Sequence, residues 1–152
     1  MAFWIEVKAR YEKMMENGTQ KRVTEPYLVD ALSCIEAEAR VIEELTPFTS
    51  GELSVISNKK INLSEVFQNF VGDKYYRVKV NFITIDEKTA KEKKTASYSI
   101  VPANNFGEAY TNFLEAMKGT MADYEIESIS ETRYMDIYPV KFVHNETGKT
   151  DG

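Results

Sequence analysis

Two stretches of this chain carry the same succession of signals, and that repetition limits the folds open to it. VTEPYLVDALSCIEAEARVIEEL, from Val23 to Leu45, and KTASYSIVPANNFGEAYTNFLEAM, from Lys94 to Met117, each run from a strand-like segment through a polar cap into an amphipathic helix. Ser33 followed by Glu36, and Asn105 followed by Glu108, place an acceptor at the N-cap and a carboxylate at N3, which satisfies donors that the first turn leaves open. A helix stripe of this kind must be covered, and the flanking segments offer strands to cover it.

The two halves align beyond these stretches. At a shift of 71 residues Trp4, Glu6, Val7, Lys8, Ala9 and Tyr11 fall on Tyr75, Arg77, Val78, Lys79, Val80 and Phe82, and Tyr27 and Val29 fall on Tyr98 and Ile100. At 72 the helix residues Cys34, Ala37, Val41, Ile42 and Leu45 match Phe106, Ala109, Phe113, Leu114 and Met117. Ile56 and Ser57 match Ile129 and Ser130 at 73, and Val66 and Phe67 match Ile137 and Tyr138 at 71. The pattern suggests internal duplication, with a single fold that reuses one supersecondary unit as the alternative.

Taken in order, Phe3–Tyr11 alternates as a half-buried strand with Ile5, Val7, Ala9 and Tyr11 inward. Asn17-Gly18 supplies a turn that tolerates positive φ at both positions, and 19–29 returns as the partner, with Pro26 marking an edge or a ladder end. A helix from Cys34 to Leu45 stops near Pro47. A strand over 52–57, a polar link and a short strand over 63–71 complete the half. The second half repeats this with strands 75–85, 95–101, 124–130 and 134–140 and a helix over 106–118. The expected fold is α+β: two ββαββ halves, about 1–71 and 72–142, joined as one domain of antiparallel sheet with two packed helices, followed by a disordered tail over 143–152. Halves of about 70 residues are each marginal alone.

One cysteine among 152 residues permits no intramolecular disulfide, and MAFWIEVKARYEK holds no long apolar run, so a reducing, cytoplasmic setting without a membrane is expected. Residues 1–24 and 59–95 hold fourteen Lys or Arg against eight acids, and the rest hold five against sixteen. The hairpins are basic and the helices acidic. Trp4, Lys8 and Arg10 in one half and Tyr75, Arg77 and Lys79 in the other interleave aromatic and cationic side chains on the outward phase of two strands. Such a face suits single-stranded nucleic acid; a solvated sheet face has the same alternation.

Signals for catalysis are sparse. The single histidine, His144, lies in the expected tail, so no His-based triad or His-rich metal site is read, and no cofactor is expected. Gly148–Thr150 copies the end of a phosphate loop without its upstream glycine. Cys34 opens a helix, but its counterpart is Phe106, which suits a small core residue. Glu38 stands out instead. On a helical wheel it falls inside the arc of Cys34, Val41, Ile42 and Leu45, where the second helix has Tyr110. A carboxylate there either snorkels to the rim or bonds a backbone amide, or is partly buried with a specific partner such as Tyr11, Tyr27 or a lysine of the sheet.

YEKMMENGTQKRVTEPYLVDALS, YRVKVNFITIDEK and MKGTMADYEI resemble a family of small proteins, domain of unknown function 4494, over about Phe3 to Val140. The resemblance implies a source in Bacteroides-type bacteria or their mobile elements, and it transfers no activity, cofactor or site. The residues themselves favour a non-enzymatic module that binds a protein partner or another copy of itself. A single-stranded nucleic-acid binder is the alternative, and an enzyme with carboxylate chemistry comes third.

Overall fold

The computed structural model describes residues 3–49 and 51–140; the tail with His144 and Gly148–Thr150 lies outside them. The fold is mixed α+β, with eight strands in two sheets and two helices among the described residues. In order these are β1 (Phe3–Met14), β2 (Gln20–Ala31), α1 (Cys34–Leu45), β3 (Leu53–Ile61), β4 (Glu65–Val66), β5 (Lys74–Ile85), β6 (Glu92–Ala103), α2 (Phe106–Ala116), β7 (Asp123–Glu131) and β8 (Ile137–Tyr138). A 3-10 turn, Thr46–Phe48, carries Pro47 directly after α1.

The described chain forms two compact units, one reaching Ile61 and resuming at Met135, the other spanning Asn62–Tyr134. These are not the sequence halves, because each half gives its last short strand to the other sheet. The first sheet has the order β3-β1-β2-β8 and the second β4-β6-β5-β7. Both donated strands run parallel to their neighbours, β8 on Leu28 and Val29 and β4 on Ser99 and Ile100, so neither sheet is wholly antiparallel. The strands expected over 63–71 and 134–140 shrink to two residues each, whereas β3 extends through the lysines read as a link.

Within each unit the hairpin sets the core. Ile5, Val7, Ala9 and Tyr11 meet Ala37, Val41 and Leu45 of α1 in the first unit, and Tyr76, Val78 and Val80 meet Ala109 and Phe113 of α2 in the second. Each edge strand is bulged against its central strand at the same place, Ile56 opposite the step from Lys8 to Ala9 and Glu127 opposite the step from Lys79 to Val80. Both caps form: Ser33 and Asn105 accept from the amides of Glu36 and Glu108. The acids reach one residue further back than the expected box, to the amides of Leu32 and Asn104.

The registers correct the alignment. Ile5 pairs with Val29 and Tyr76 with Val101, so Tyr27 and Val29 correspond to Ser99 and Val101 rather than to Tyr98 and Ile100. The extra residue sits in the hairpin loop, which runs from Met14 to Gln20 in one unit and from Ile85 to Glu92 in the other. Ser57 likewise corresponds to Ser128, and Asn58 to Ile129.

The loops differ chemically as well. Only Gly18 takes positive φ in the first, at 87°, while Asn17 turns its carboxamide to the amide and hydroxyl of Thr19. In the second, Ala90 holds φ at 60°. An L residue there is strained, so Ala90→Gly is expected to stabilise the protein by about 0.5–1 kcal/mol. Gly72 is the opposite case: an added Cβ would lie 2.4 Å from the Ala103 backbone. Gly72→Ala is expected to cost about 1–3 kcal/mol, and urea denaturation of both variants checks the two signs.

Candidate functional site

Val23, Tyr27 and Val29 face the helix side of β2, and Glu25 stands in the same phase, opposite Ala9. An acid at that position needs donors, and β1 supplies two and β2 itself a third. Tyr11 donates to Glu25 Oε1 at 2.7 Å, Tyr27 to the same oxygen at 3.1 Å, and Lys13 Nζ lies 3.3 Å from Oε2. The two phenol oxygens are 3.3 Å apart. Tyr138 of β8 stacks on Tyr27 with ring centroids 5.7 Å apart, and the Arg40 guanidinium lies over its ring.

Burial holds all three phenols, Tyr11, Tyr27 and Tyr138, above the ordinary tyrosine range, and the nearby acids add to that. At neutral pH they are therefore protonated donors rather than bases or nucleophiles. Beside them opens a cavity of about 270 Å³, floored by Tyr11, Tyr27, Tyr138 and Leu45, with Phe48 and Met135 at its mouth. Phe48 is 74% exposed and Met135 47%. The cavity has polar groups, the Tyr11 and Tyr27 hydroxyls with Glu25, beside its apolar lining.

The second unit has no such cluster at the corresponding positions. Phe82 stands for Tyr11, Ser97 for Glu25, Ser99 for Tyr27 and Phe67 for Tyr138, and Ser97 shares a hydroxyl contact with Ser64 instead. Sequence reasoning missed Glu25. The signal was present, since Glu25 breaks the apolar phase of Val23, Tyr27 and Val29, but Pro26 beside it drew the reading toward an edge.

The residues singled out from sequence fall elsewhere. Trp4, Lys8 and Arg10 share the face of β1 away from α1, with Trp4 half-buried and the other two exposed; Arg10 Nε reaches Thr24 Oγ1 at 3.4 Å. On β5, Tyr75 is half-buried, Arg77 lies over Tyr98, and Lys79 bridges Glu127 at 3.0 Å. That contact raises the Lys79 pKa, while Asn81 and Lys79 lower that of Glu127. Leu28, opposite Glu6, and Ile100, opposite Arg77, belong to these same faces and are fully buried. Each face is therefore covered in part and exposed in part.

Glu38 is half-buried and accepts from Asn58 Nδ2, so its partner is an amide of β3 rather than a tyrosine or lysine. The second unit has Tyr110 and Ile129 at the corresponding positions. Cys34 packs half-buried against the first core. Among the described residues no three His, Cys, Asp or Glu side chains converge to hold a metal ion. A second cavity, of about 280 Å³, opens between β2 and α1 beside Asp30, whose pKa burial and Glu36 raise. Its other polar groups are engaged: Glu36 caps α1, and Arg40 holds Glu44 and the Pro139 carbonyl.

The structure thus defines a mixed α+β protein whose two units share one plan, with a polar aromatic cavity in the first. The chain belongs to the family described as domain of unknown function (DUF4494), which matches residues 3–140. No curated protein and no solved structure matches it. No described helix is long and apolar enough to cross a membrane.

Two measurements probe the cluster. Glu25→Ala leaves two buried phenols without their acceptor and is expected to cost about 1–3 kcal/mol, part of which Tyr11→Phe restores in the double variant. Because the folded phenols ionise above the unfolded value of 10.0, their contribution is complete below that pH and is lost as pH rises past it. Stability should fall by up to about 1.4 kcal/mol per pH unit for each phenol retained, and Tyr27→Phe should flatten that alkaline slope in denaturation curves.

Proposed function

We propose that this protein is a non-enzymatic interaction module that grips a protein partner at the Tyr11–Tyr27 cavity of its first unit. The observation that carries the reading is the contrast between two units of equal register, equal bulges and equal helix caps. We take them as copies of one repeated plan. In one copy the core is closed by Phe82 and Phe67. In the other Tyr11 and Tyr138 take those two positions, Glu25 and Tyr27 stand where the former copy has Ser97 and Ser99, Tyr11 and Tyr27 bind the acid, and the cluster lies beside a cavity with Phe48 and Met135 exposed at its mouth.

A polar network in a core position is costly to assemble, and it is a common feature of sites kept for binding. The exposed pair at the mouth, Phe48 and Met135, is of the residue types enriched at protein interfaces, where a few anchor side chains carry most of the binding energy. The phenols, held protonated, supply no base for catalysis. Nucleic-acid binding through Trp4, Lys8, Arg10, Tyr75, Arg77 and Lys79 draws less support, since bases stack on open rings and here Trp4 and Tyr75 are half-buried and Lys79 is bridged.

A displayed random-peptide library selected on the protein, with counter-selection on a Phe48→Ser, Met135→Ser double variant, tests the reading. It is expected to enrich peptides that bind the natural protein and lose the variant. Peptides that bind both alike, or no enrichment at all, would overturn it.

A further inference from the structure

The ladder between β2 and β8 is short, and it leaves β2 open beside the cavity. Met135 N donates to the Pro26 carbonyl at 2.9 Å and Leu28 N to the Asp136 carbonyl at 3.2 Å. Backbone direction alternates along a strand, so the N–H and C=O of Thr24 and Arg22 point the same way as those groups. Among the described strands, β2 has only β1 and β8 as neighbours, and β8 reaches only Leu28 and Val29. Pro26 fits this geometry, since its nitrogen points away from β1 and no donor is lost from the main ladder.

The open stretch is basic. Lys21 lies directly across from Lys13 on the cavity side, a like-charge pair that is unfavourable by itself. Lys13 is held by Glu25, while Lys21 and Arg22 are exposed and make no salt bridge among the described residues. Glu12, opposite Arg22, has its carboxylate beside Gly51 on the other flank of β1. The remaining acid near the cavity, Asp136, lies at the start of β8 and accepts from the Ile137 amide.

We propose that the open edge of β2 at Arg22 and Thr24 receives an extended acidic peptide segment as an added strand, in line with β8, which seats an apolar side chain in the Tyr11–Tyr27 cavity. This rests on the interaction reading above and names its partner class. Strand addition supplies main-chain hydrogen bonds, and alternate side chains reach the pocket on one side of the edge. Acidic residues on the peptide relieve the Lys13–Lys21 repulsion and meet Arg22. Lysines also guard edges against unwanted pairing, and the same charges admit a segment of opposite sign.

Fluorescence anisotropy with a short labelled peptide of glutamates around a single phenylalanine is the test. Three companions accompany it: the lysine-for-glutamate peptide, the acidic peptide with alternate backbone nitrogens methylated, and an oligothymidylate. The acidic peptide is expected to bind about tenfold tighter than any companion, and a Lys21→Glu, Arg22→Glu variant to weaken it by a similar factor. Amide exchange at Arg22 and Thr24 should slow in the complex. Equal binding of the methylated peptide, a preference for oligothymidylate, or no binding by the acidic peptide would overturn the proposal. The library selection separates the two readings: winners that need Phe48 and Met135 but are neither acidic nor extended would leave the cavity reading standing and remove this one.

Discussion

Each unit depends on the register of its long hairpin. Twelve consecutive residue pairs join β1 to β2, and twelve join β5 to β6, without a break. Because successive side chains alternate faces, that register decides which side chains meet the helix and which do not. Slipping β2 by one residue would turn Glu25 outward and bring Thr24 in. The helices are placed by the same ladder, since their buried residues, Ala37 and Val41 in one and Ala109 and Phe113 in the other, find cover only where the inward phase of the hairpin lies.

The two cores fill the same layer by different means. In the first unit the sheet contributes the large ring, Tyr27, and the helix the small side chain, Val41; in the second the sheet contributes Ser99 and the helix Phe113. Phe67 and Tyr124 then close on Phe113 edge to face at 6.1 and 6.2 Å. With the ring moved from helix to sheet, the first unit brings a phenol beside Tyr11, and an acid at position 25 can be satisfied. A change of volume partner therefore makes room for a polar site without altering the backbone plan.

Much of the fold was legible because its signals are local. Ser33 with Glu36, and Asn105 with Glu108, mark helix starts through bonds spanning three or four residues, and α1 ends at Leu45 where Pro47 required it. Register was not legible there, because Leu28–Val29 and Ile100–Val101 are apolar on both phases and leave no alternation to fix the shift; the Tyr27 and Tyr98 identity led it astray. The crossing of β4 and β8 depends on tertiary pairing of two residues each, which leaves no periodicity to read. Glu38 was marked by its place on the helix wheel, but its partner Asn58 could not be named without the register of β3.

If the Glu25 cluster is kept for binding rather than for stability, the first unit should tolerate the second unit's solution to the same layer. The most direct measurement is the unfolding free energy of a variant carrying Tyr11→Phe, Glu25→Ser, Tyr27→Ser, Val41→Phe and Tyr138→Phe together. Removing a buried charge together with its partners while the layer stays packed is commonly neutral or stabilising, so the variant, in which Val41→Phe stands in for the Tyr27 ring, is expected to match or exceed the natural protein. A loss of more than about 3 kcal/mol, on the scale of a broken buried network, would contradict the account and make the cluster a structural requirement of the fold.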